Sequence, residues 1–337
     1  MSINYDQLSK SPRLLMEVKL KPLQGERFQP TGFADLGAAR YSLPSRNGDG
    51  AIEMLLVESA QSVANRMELA CWDAPANDYI AELRSLPFIA VRMPDGKPVT
   101  TSVLEAHRIN SEYIMKDASG PTDFHQQFAR EIDYAGDAPV QWRKFYDALL
   151  RYDPDSLIHG CFLEEIDGRL RITRALSSFI EATDVAVAES DGVKNNIVQP
   201  ELRGNEGNVP FHRTEFVARE IIAYFNLDLA LLRGYGFDER VLKLLIALAL
   251  LKVRRFFSTG LRLRTACDLG VVGELQVAHP AGFKLPDESA LLSECQGLAG
   301  QCMEFFARDR VTVVTRKMQQ RTKPAKKKSA EPEETNA

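Results

Sequence analysis

The alternation of apolar and polar residues near the start of the chain predicts a β-strand over 14–23. In the sequence LLMEVKLKPL, apolar residues alternate with charged ones, as in a strand that buries one face. A second strand is predicted over 53–57, followed by a helix over 58–70. Apolar side chains recur along that helix at three- and four-residue spacing, which defines a buried face made of Ala60, Val63, Ala64, Met67 and Cys71.

The second half of the chain mixes both periodicities without a regular alternation of strand and helix. Helices are predicted over 142–151, ending at the sequence YDPD, and over 238–257, which is acidic at its start and basic at its end. Between them, 157–164 and 170–175 predict two strands joined by an Asp-Gly turn. Residues 214–226 predict a strand followed by a helix. Together these elements indicate an α+β or α/β class.

Four segments lack a core-forming pattern. Residues 73–140 are divided by several prolines and are predicted to form an insertion. Residues 189–212 are polar and rich in glycine, which predicts a long loop, and loops of this length are usually functional or disordered. Residues 1–13 are predicted to be a flexible lead-in. The tail over 316–337 is rich in Lys, Pro and Glu and is predicted to be disordered.

The composition is that of an ordinary globular protein, but the charge is distributed unevenly along the chain. The 337 residues are 45% hydrophobic and 26% charged, with a formal net charge of −4. From Arg310 onward, eight basic and three acidic residues give a net of +5, so the preceding residues carry −9. An acidic body argues against binding nucleic acid with the whole surface, but it leaves room for one basic groove.

The N-terminal sequence MSINYDQLSK has no apolar segment typical of a signal peptide. The longest apolar run, 241–253, is interrupted by Lys243 and Lys252 and is too short to span a bilayer. We therefore expect a cytoplasmic protein without a membrane partner.

Signatures of catalysis and of metal binding are absent from the sequence. It contains no P-loop, GxGxxG, HExxH or GxSxG motif. The five histidines are scattered, and an isolated histidine is more often structural than catalytic: His107, His125, His159, His212 and His279. The carboxylate pairs Glu164–Glu165 and Asp153–Asp155 are predicted to be solvated. We expect no cofactor, no metal and no catalytic residue.

The cysteines lead to the same expectation. Their odd number and wide spacing, without a CxxC pair, predict reduced and buried thiols rather than disulfides or a zinc site: Cys71, Cys161, Cys267, Cys295 and Cys302.

One concentration of basic residues lies between positions 10 and 46, where seven basic residues face three acidic ones. Arg27 and Gln29 lie there on a loop that contains glycine, and such a loop can hold phosphate groups through its backbone amides and side chains. The loop leads into the predicted helix over 58–70. On that helix Ser62, Asn65 and Arg66 fall at i, i+3 and i+4 and form a polar strip opposite the apolar face.

A second concentration lies over 240–267, which contains no Asp or Glu. Its basic residues, which flank Phe256 and Phe257, are Arg240, Lys243, Lys252, Arg254, Arg255, Arg262 and Arg264. The stretch suits contact with phosphates and stacked bases. It equally fits a helix whose C-terminal cations complement the dipole, followed by an amphipathic strand. On the residues alone, the chain is interpreted as a protein that contacts a nucleotide or RNA.

Several segments resemble a known family. The sequences LKPLQGERFQPTGFADLGAARY (20–41) and MLLVESAQSVANRMELACWD (54–73) are similar to the backbone subunit of type I-U CRISPR effector complexes, now usually called type I-G. HRTEFVAREIIAYFNLDLALLRGYG (212–236) is similar as well. That subunit belongs to the seventh Cas family of the RAMP superfamily. The resemblance extends from about residue 14 to residue 306 and leaves out the Lys-rich tail.

This resemblance implies an α+β fold. Residues 14–315 would form an RRM-like (ferredoxin-like) palm, with a finger inserted at about 73–140 and a thumb at about 189–212. It also implies a non-catalytic subunit whose copies polymerise along one CRISPR RNA and support pairing of the guide with target DNA. The implied partners are that RNA, other copies of the chain, and the large and guide-processing subunits of an antiviral complex.

The resemblance also implies site residues. In the family a Ser-Gln motif on the first helix lies against the guide backbone, and here it is found at Ser59 and Gln61. Lys194 and Asn195 would lie near the RNA on the thumb. With the loop and the basic helix end, the expected RNA-binding set is Arg27, Gln29, Ser59, Gln61, Ser62, Asn65, Arg66, Lys194, Asn195, Arg254 and Arg255.

Three other functions remain open at this point. Related type III backbone subunits cut target RNA with an aspartate in the loop after the first strand, and Asp35 has a comparable place. A metal-dependent ribonuclease is therefore one alternative, and a histidine-based endoribonuclease that processes guides is another. A cytosolic metabolic enzyme is the third, although no cofactor motif supports it.

Overall fold

The computed structural model describes residues 2–33, 36–44, 50–116, 123–195 and 208–316. In chain order the strands are β1 Arg13–Pro22, β2 Gly32–Phe33, β3 Gly37–Ala38, β4 Arg40–Pro44, β5 Ala51–Glu58, β6 Trp72–Asp73, β7 Asp78–Tyr79, β8 Phe88–Arg92, β9 Pro98–Thr101, β10 Cys161–Phe162, β11 Arg171–Ile172, β12 Leu176–Asn195, β13 Asn208–Asp228, β14 Leu261–Arg264, β15 Cys267–His279 and β16 Val311–Thr315. The α-helices are α1 Tyr5–Ser9, α2 Ala60–Leu69, α3 Glu112–Met115, α4 Phe124–Glu131, α5 Trp142–Tyr152, α6 Pro154–His159, α7 Leu229–Gly234, α8 Glu239–Ser258 and α9 Glu288–Gln301.

A seven-stranded antiparallel sheet organises the molecule, with strand order β14-β15-β1-β13-β12-β5-β4. The predicted first strand is confirmed as β1, which lies in the interior of the sheet between β13 and β15. Leu14, Met16, Val18 and Leu20 are buried, while the residues between them, which are charged except for Leu15, are exposed. The period-2 pattern therefore reports a strand with one face on the core.

Helix α2 packs on β12, and α8 packs against α2 and brings Phe256 beside Phe225 of β13. Both helices were predicted, α2 from the spacing of its apolar residues and α8 from its apolar run with an acidic start and a basic end. Ser59 caps α2, because its Oγ accepts a hydrogen bond from the Ser62 amide at 3.3 Å. Val63, Ala64 and Met67 are fully buried, whereas Ala60 is only half-buried. Helix α8 contributes most of its apolar residues to the core. The fold is thus a mixed α+β architecture with a large antiparallel sheet.

The strand predicted over 157–164 is partly wrong. Pro154 begins helix α6, a position where its missing amide hydrogen is tolerated, and the helix continues to His159. The strand pair starts only at Cys161, where β10 pairs with β11. A short apolar run such as LIHGCF does not distinguish strand from helix by periodicity alone, which explains the error.

The loop predicted over 189–212 is strand in the parts that the structure describes, 189–195 and 208–212. The helix predicted in the second part of 214–226 is wrong, because β13 continues to Asp228. Strands β12 and β13 pair continuously from Leu176 opposite Leu227 to Asn195 opposite Asn208. Because β12 pairs with β5 only over 180–183, the distal part of the two strands extends beyond the sheet as a two-stranded ribbon. Twelve residues from 184 to 195 correspond to about 40 Å of strand.

Strands β8 and β9 of the segment 73–140 pair with each other in a smaller sheet. The third strand of that sheet is β16, which pairs in parallel with β8. Tyr79, Phe88 and Ile109 from this segment belong to the main hydrophobic core. The stretch predicted as an insertion is therefore packed against the body and joined to the end of the described chain.

The N-terminal residues are packed as well. Within the predicted lead-in over 1–13, helix α1 buries Leu8, and Ile3 is also buried. The Tyr5 hydroxyl donates a hydrogen bond of 2.9 Å to Glu294. The predicted tail lies outside the described residues except for Arg316. Among the helices of the described ranges, none has the length and apolar character needed to cross a membrane.

Candidate nucleic-acid interface

Four segments meet around the carboxylate of Glu58, at the junction of β5 and α2. They are the loop over 23–31, the end of β5, the start of α2 and strand β14 with its following turn. Glu58 is buried, with 1% of its surface exposed, and it accepts a hydrogen bond from the Ser59 amide at 3.3 Å. Arg264 pairs with the same carboxylate, and Arg66 Nε lies 3.8 Å from Glu58 Oε2. A buried charge requires such partners.

Arg264 fixes the loop to the sheet. Its Nη1 donates hydrogen bonds to the Gln29 carbonyl at 2.8 Å and to the Val57 carbonyl at 3.3 Å. The Gln29 amide in turn donates to the Ala266 carbonyl at 2.7 Å. The sequence grouped Arg264 with residues suited to phosphates, but the structure gives it an internal role. Its charge-assisted hydrogen bonds make loop, strand and helix one surface.

Two predicted residues lie on that loop. Arg27 is exposed, and its Nη1 lies 3.3 Å from Oε2 of the buried Glu215 in β13. Gln29 is half-buried. Between them Phe28 is buried and forms a backbone bridge with Phe216. The loop therefore presents Arg27 at the base of the ribbon.

The polar strip of α2 contacts a second loop. Gln61 Nε2 donates to the Ala106 carbonyl at 2.6 Å and to Asn65 Oδ1 at 3.2 Å, while Gln61 Oε1 accepts a hydrogen bond from Arg174. Ser62, like Gln61 and Asn65, is half-buried. The strip is thus a partly covered surface with its amide groups oriented by neighbours rather than a fully solvated helix face.

The polar strip of α2 meets the basic concentration of 240–267 at a cavity beside it. A cavity of about 260 Å³ is lined by Arg66 from α2, Arg255 from α8 and Arg262 from β14. Its other lining residues are apolar or uncharged: Leu69, Ala70, Trp72, Phe256, Thr259, Gly260 and Leu263. Arg66 and Arg255 were both predicted to bind RNA from separate parts of the chain, and the fold brings them to one place.

Arg254 and Arg255 point to different neighbours. Arg254 donates hydrogen bonds to the carbonyls of Pro286 and Leu285, at 2.9 and 2.8 Å, and its burial lowers the pKa of the guanidinium. Arg255 Nε donates to the Ala70 carbonyl at 2.6 Å, and its Nη1 pairs with Glu288. Arg254 therefore joins α8 to the loop before α9 and does not line the cavity.

Lys252 corrects a further expectation. It was grouped with the phosphate-contacting cations, yet only 1% of its side chain is exposed, and its Nζ lies 2.9 Å from Asp155 Oδ1. Asp153 and Asp155, expected to be solvated, are fully buried. Ser156 and Tyr79 donate hydrogen bonds to them. Because this part of α8 faces the core, the lysine requires a buried counter-charge.

A second buried pair adjoins the first. Arg108 donates to both carboxylate oxygens of Glu68, at 2.6 and 2.8 Å. Burial nevertheless raises the pKa of Glu68 to about 7, and burial raises that of Asp153 to about 6. Sequence reasoning missed this cluster. The only signal was a lysine within the apolar run of α8 and a glutamate on the apolar side of α2.

The remaining predicted site residues are placed only by the backbone or not at all. Lys194 and Asn195 lie at the end of β12, opposite Val209 and Asn208 in β13. Asp35, proposed for the ribonuclease alternative, lies outside the described residues.

The described ranges contain no group of three or more His, Cys, Asp or Glu residues that could hold a metal ion. The prediction of buried, unpaired thiols is confirmed for all five cysteines. Burial raises the pKa of Cys71 and of Cys267 to about 11, so these thiols are protonated at neutral pH.

Comparison with known proteins places this chain among the CRISPR-associated proteins. The chain belongs to the family described as CRISPR-associated protein GSU0053, whose model matches residues 14–187. No curated protein matches the chain.

Three solved structures are similar in outline. A chain of a "CRISPR RNA-guided surveillance complex, pre-nicking" is 12% identical with a TM-score of 0.40, and the match covers 87% of this chain and 89% of that one. The crystal structure of Thermofilum pendens Csc2 is 11% identical with a TM-score of 0.31, covering 90% and 81%. A chain of a "CRISPR RNA-guided surveillance complex" is 13% identical with a TM-score of 0.26, covering 73% and 71%. Because all three TM-scores are below 0.5, these likenesses establish neither fold family nor function.

Proposed function

We propose that this CRISPR-associated protein is a non-catalytic backbone subunit that binds CRISPR RNA and polymerises along it. The observation that carries the proposal is the convergence of the 23–31 loop, the polar strip of α2, Arg255 of α8 and Arg262 of β14 on one surface. Membership of a CRISPR-associated family makes RNA the natural ligand of such a surface. Arg27 and Arg66 supply its exposed and half-exposed positive charge.

Rigidity is what a backbone subunit needs. In an RNA-guided complex, sequence is read by base pairing, and the protein contacts the sugar–phosphate backbone. Arg264 and Gln61 hold the loop, the sheet and the neighbouring 104–107 loop against α2, so that the polar groups are pre-positioned. We propose that the RNA backbone follows α2 and that the protein reads no bases.

The ribbon formed by β12 and β13 is proposed to be the thumb. An isolated two-stranded ribbon is marginally stable in water, so a long one gains stability from a partner. We propose that its distal half, which carries Lys194 and Asn195, contacts RNA and the next copy of the chain. We further propose a cytoplasmic complex with target DNA paired to the guide, together with the large and guide-processing subunits of type I-G.

The experiment is co-expression of the chain with its neighbouring CRISPR-associated proteins and a CRISPR array, followed by purification in high salt and sequencing of bound nucleic acid. We expect a large particle with several copies of the chain and RNAs of uniform length. The Arg66→Ala variant should retain less RNA for every guide sequence, because it removes a backbone contact. Arg130→Ala, which removes an exposed arginine of α4, is the control.

Purification of a nucleic-acid-free monomer under the same conditions would contradict the proposal. A change in which guides are retained, without a general loss, would contradict the backbone-contact role of Arg66. Metal-dependent cleavage of RNA by the purified particle would contradict the non-catalytic assignment.

A further inference from the structure

The 260 Å³ cavity between α2, α8 and β14 differs from its neighbour in charge. It is lined by three arginines and by no carboxylate. An adjacent cavity of about 460 Å³ shares Arg262 with the first and is lined in part by the 23–31 loop. Its charged lining residues are Arg27 and Arg262 together with Glu26, Glu215 and Asp268. An anion is therefore favoured in the first cavity and opposed in the second.

The three arginines of the first cavity have different freedom. Arg66 Nη2 donates to the Leu263 carbonyl, and Arg255 is held by the Ala70 carbonyl and Glu288. Arg262 is exposed, and within the described part of the chain its guanidinium makes no hydrogen bond or ion pair. The cavity is thus lined by two arginines that are held by protein groups, Arg66 and Arg255, and by Arg262, which is not held in this way within the described residues.

Unmet hydrogen-bonding capacity supports a ligand at this position. Arg66 Nε is buried without a hydrogen-bond partner among the described residues. A guanidinium presents five donors in a planar fork that matches the oxygens of a phosphate, and Arg66, Arg255 and Arg262 all retain unused donors. Leu69, with 49% of its surface exposed, forms an apolar wall beside them. Such a wall suits the ribose or the base of the same nucleotide.

We propose that this cavity binds a phosphate of a single-stranded RNA, with Arg262 as the principal contact and Arg66 as the second. Arg255 is a positioning residue, because it holds the C-terminal end of α2 to α8 and to the start of α9. The site rests on the proposed function for its ligand class and assigns one phosphate to a defined cavity of that surface. The RNA would then pass beyond α2 onto the edge of the sheet.

The test measures the affinity of the purified chain, or of the assembled particle, for a single-stranded RNA of mixed sequence at several salt concentrations. For Arg262→Ala we expect a loss of about tenfold at low salt and a reduction of about 0.7 in the logarithmic salt slope, the value for one phosphate contact on a single strand. Arg262→Lys should keep the slope and recover part of the affinity, because the charge remains while the planar fork is lost. Arg130→Ala should change neither quantity.

The outcomes separate this site from the wider proposal. Since the exposed Arg262 guanidinium makes no hydrogen bond or ion pair within the described chain, the thermal unfolding of Arg262→Ala should match that of the unmodified protein. If the unmodified protein binds RNA and Arg262→Ala has the same affinity and slope, the phosphate site is wrong and the RNA-binding function stands. If the loss appears only with single-stranded DNA, the RNA assignment is overturned. If the unmodified protein binds no RNA in any assembly, both proposals fail.

Discussion

At the scale of single residues, the buried pair of Arg108 and Glu68 connects helix α2 to the loop before Arg108. Arg108 is 3% exposed and comes from the loop that also contacts Gln61 through Ala106. The pair therefore stabilises α2 and orients the loop beside its polar strip. Burial opposes the charge on Glu68, and Arg108 partly offsets that penalty.

We predict that Arg108→Ala lowers the free energy of unfolding by about 3–5 kcal/mol, the range for leaving one partner of a buried ion pair uncompensated. Equilibrium unfolding in urea measures the loss. The double variant Arg108→Met with Glu68→Leu removes both charges and should recover much of the stability. Equal destabilisation by the single and double variants would show that shape, rather than charge, dominates at this site.

The same pair gives a pH dependence of definite sign. Because the folded-state pKa of Glu68 is raised to about 7 from 4.5, its contribution to stability is fully present below pH 4.5 and is lost as pH rises through 7. Removal of Arg108 raises that pKa further, so the destabilisation by Arg108→Ala should be larger at pH 8 than at pH 5. A loss independent of pH would contradict the role assigned to Glu68.

At the scale of elements, Arg264 determines how the 23–31 loop lies against β5 and α2. We predict that Arg264→Ala frees this loop, so that amide hydrogens of Gln29 and Thr31 exchange faster with solvent, and that RNA affinity falls with it. Hydrogen–deuterium exchange with mass spectrometry measures the first effect. Arg84→Ala, which removes a surface ion pair with Asp73 away from this loop, is the control.

Unchanged exchange in the loop would mean that its backbone hydrogen bonds to Ala266 and Val57 are sufficient. In that case the RNA affinity of Arg264→Ala should also be unchanged, because Arg264 itself is directed inward.

The elements also show what the sequence could predict and what it could not. Strand β1 has a period-2 pattern, and helix α8 has a long apolar run between an acidic start and a basic end; both were predicted within two residues. The distal ribbon has the polar composition of a loop, so only its pairing partner reveals it as strand. Arg262 and Arg264 are two positions apart, and the sequence predicts the same strand face for both. The pairing of β14 with β15 shifts in register between them, so that Arg262 is exposed whereas Arg264 pairs with Glu58.

The meeting of Arg66 with Arg255 could not be predicted at all. It depends on the packing of α2 against α8, which are separated by many other elements in the chain. Periodicity along one sequence indicates the type of an element but not which elements touch.

At the scale of the whole molecule, the distal ribbon is separable from the body. Pairing of β12 with β5 involves residues 180–183, and pairing of β13 with β1 involves residues 221–228 toward the C-terminal end of that strand. Replacing 189–212 by a short glycine linker therefore leaves the sheet and the Phe28–Phe216 bridge in place. We predict an unchanged unfolding temperature, together with loss of the particle that contains several copies and its RNA.

The matched control for this deletion removes the tail instead. Residues 317–337 carry six basic and three acidic residues, so their loss makes the net charge more negative by three without touching the described body. If electrostatic attraction by the whole chain drove assembly, deletion of the tail would weaken assembly more than replacement of 189–212. We expect the opposite: the tail deletion should assemble with RNA, because the proposed RNA contacts are local to α2, β14 and the ribbon. The two variants are co-expressed with the same CRISPR array, and sedimentation measures whether each forms the particle. The result distinguishes RNA binding by the overall charge of the chain from RNA binding by the local surface of α2, β14 and the ribbon.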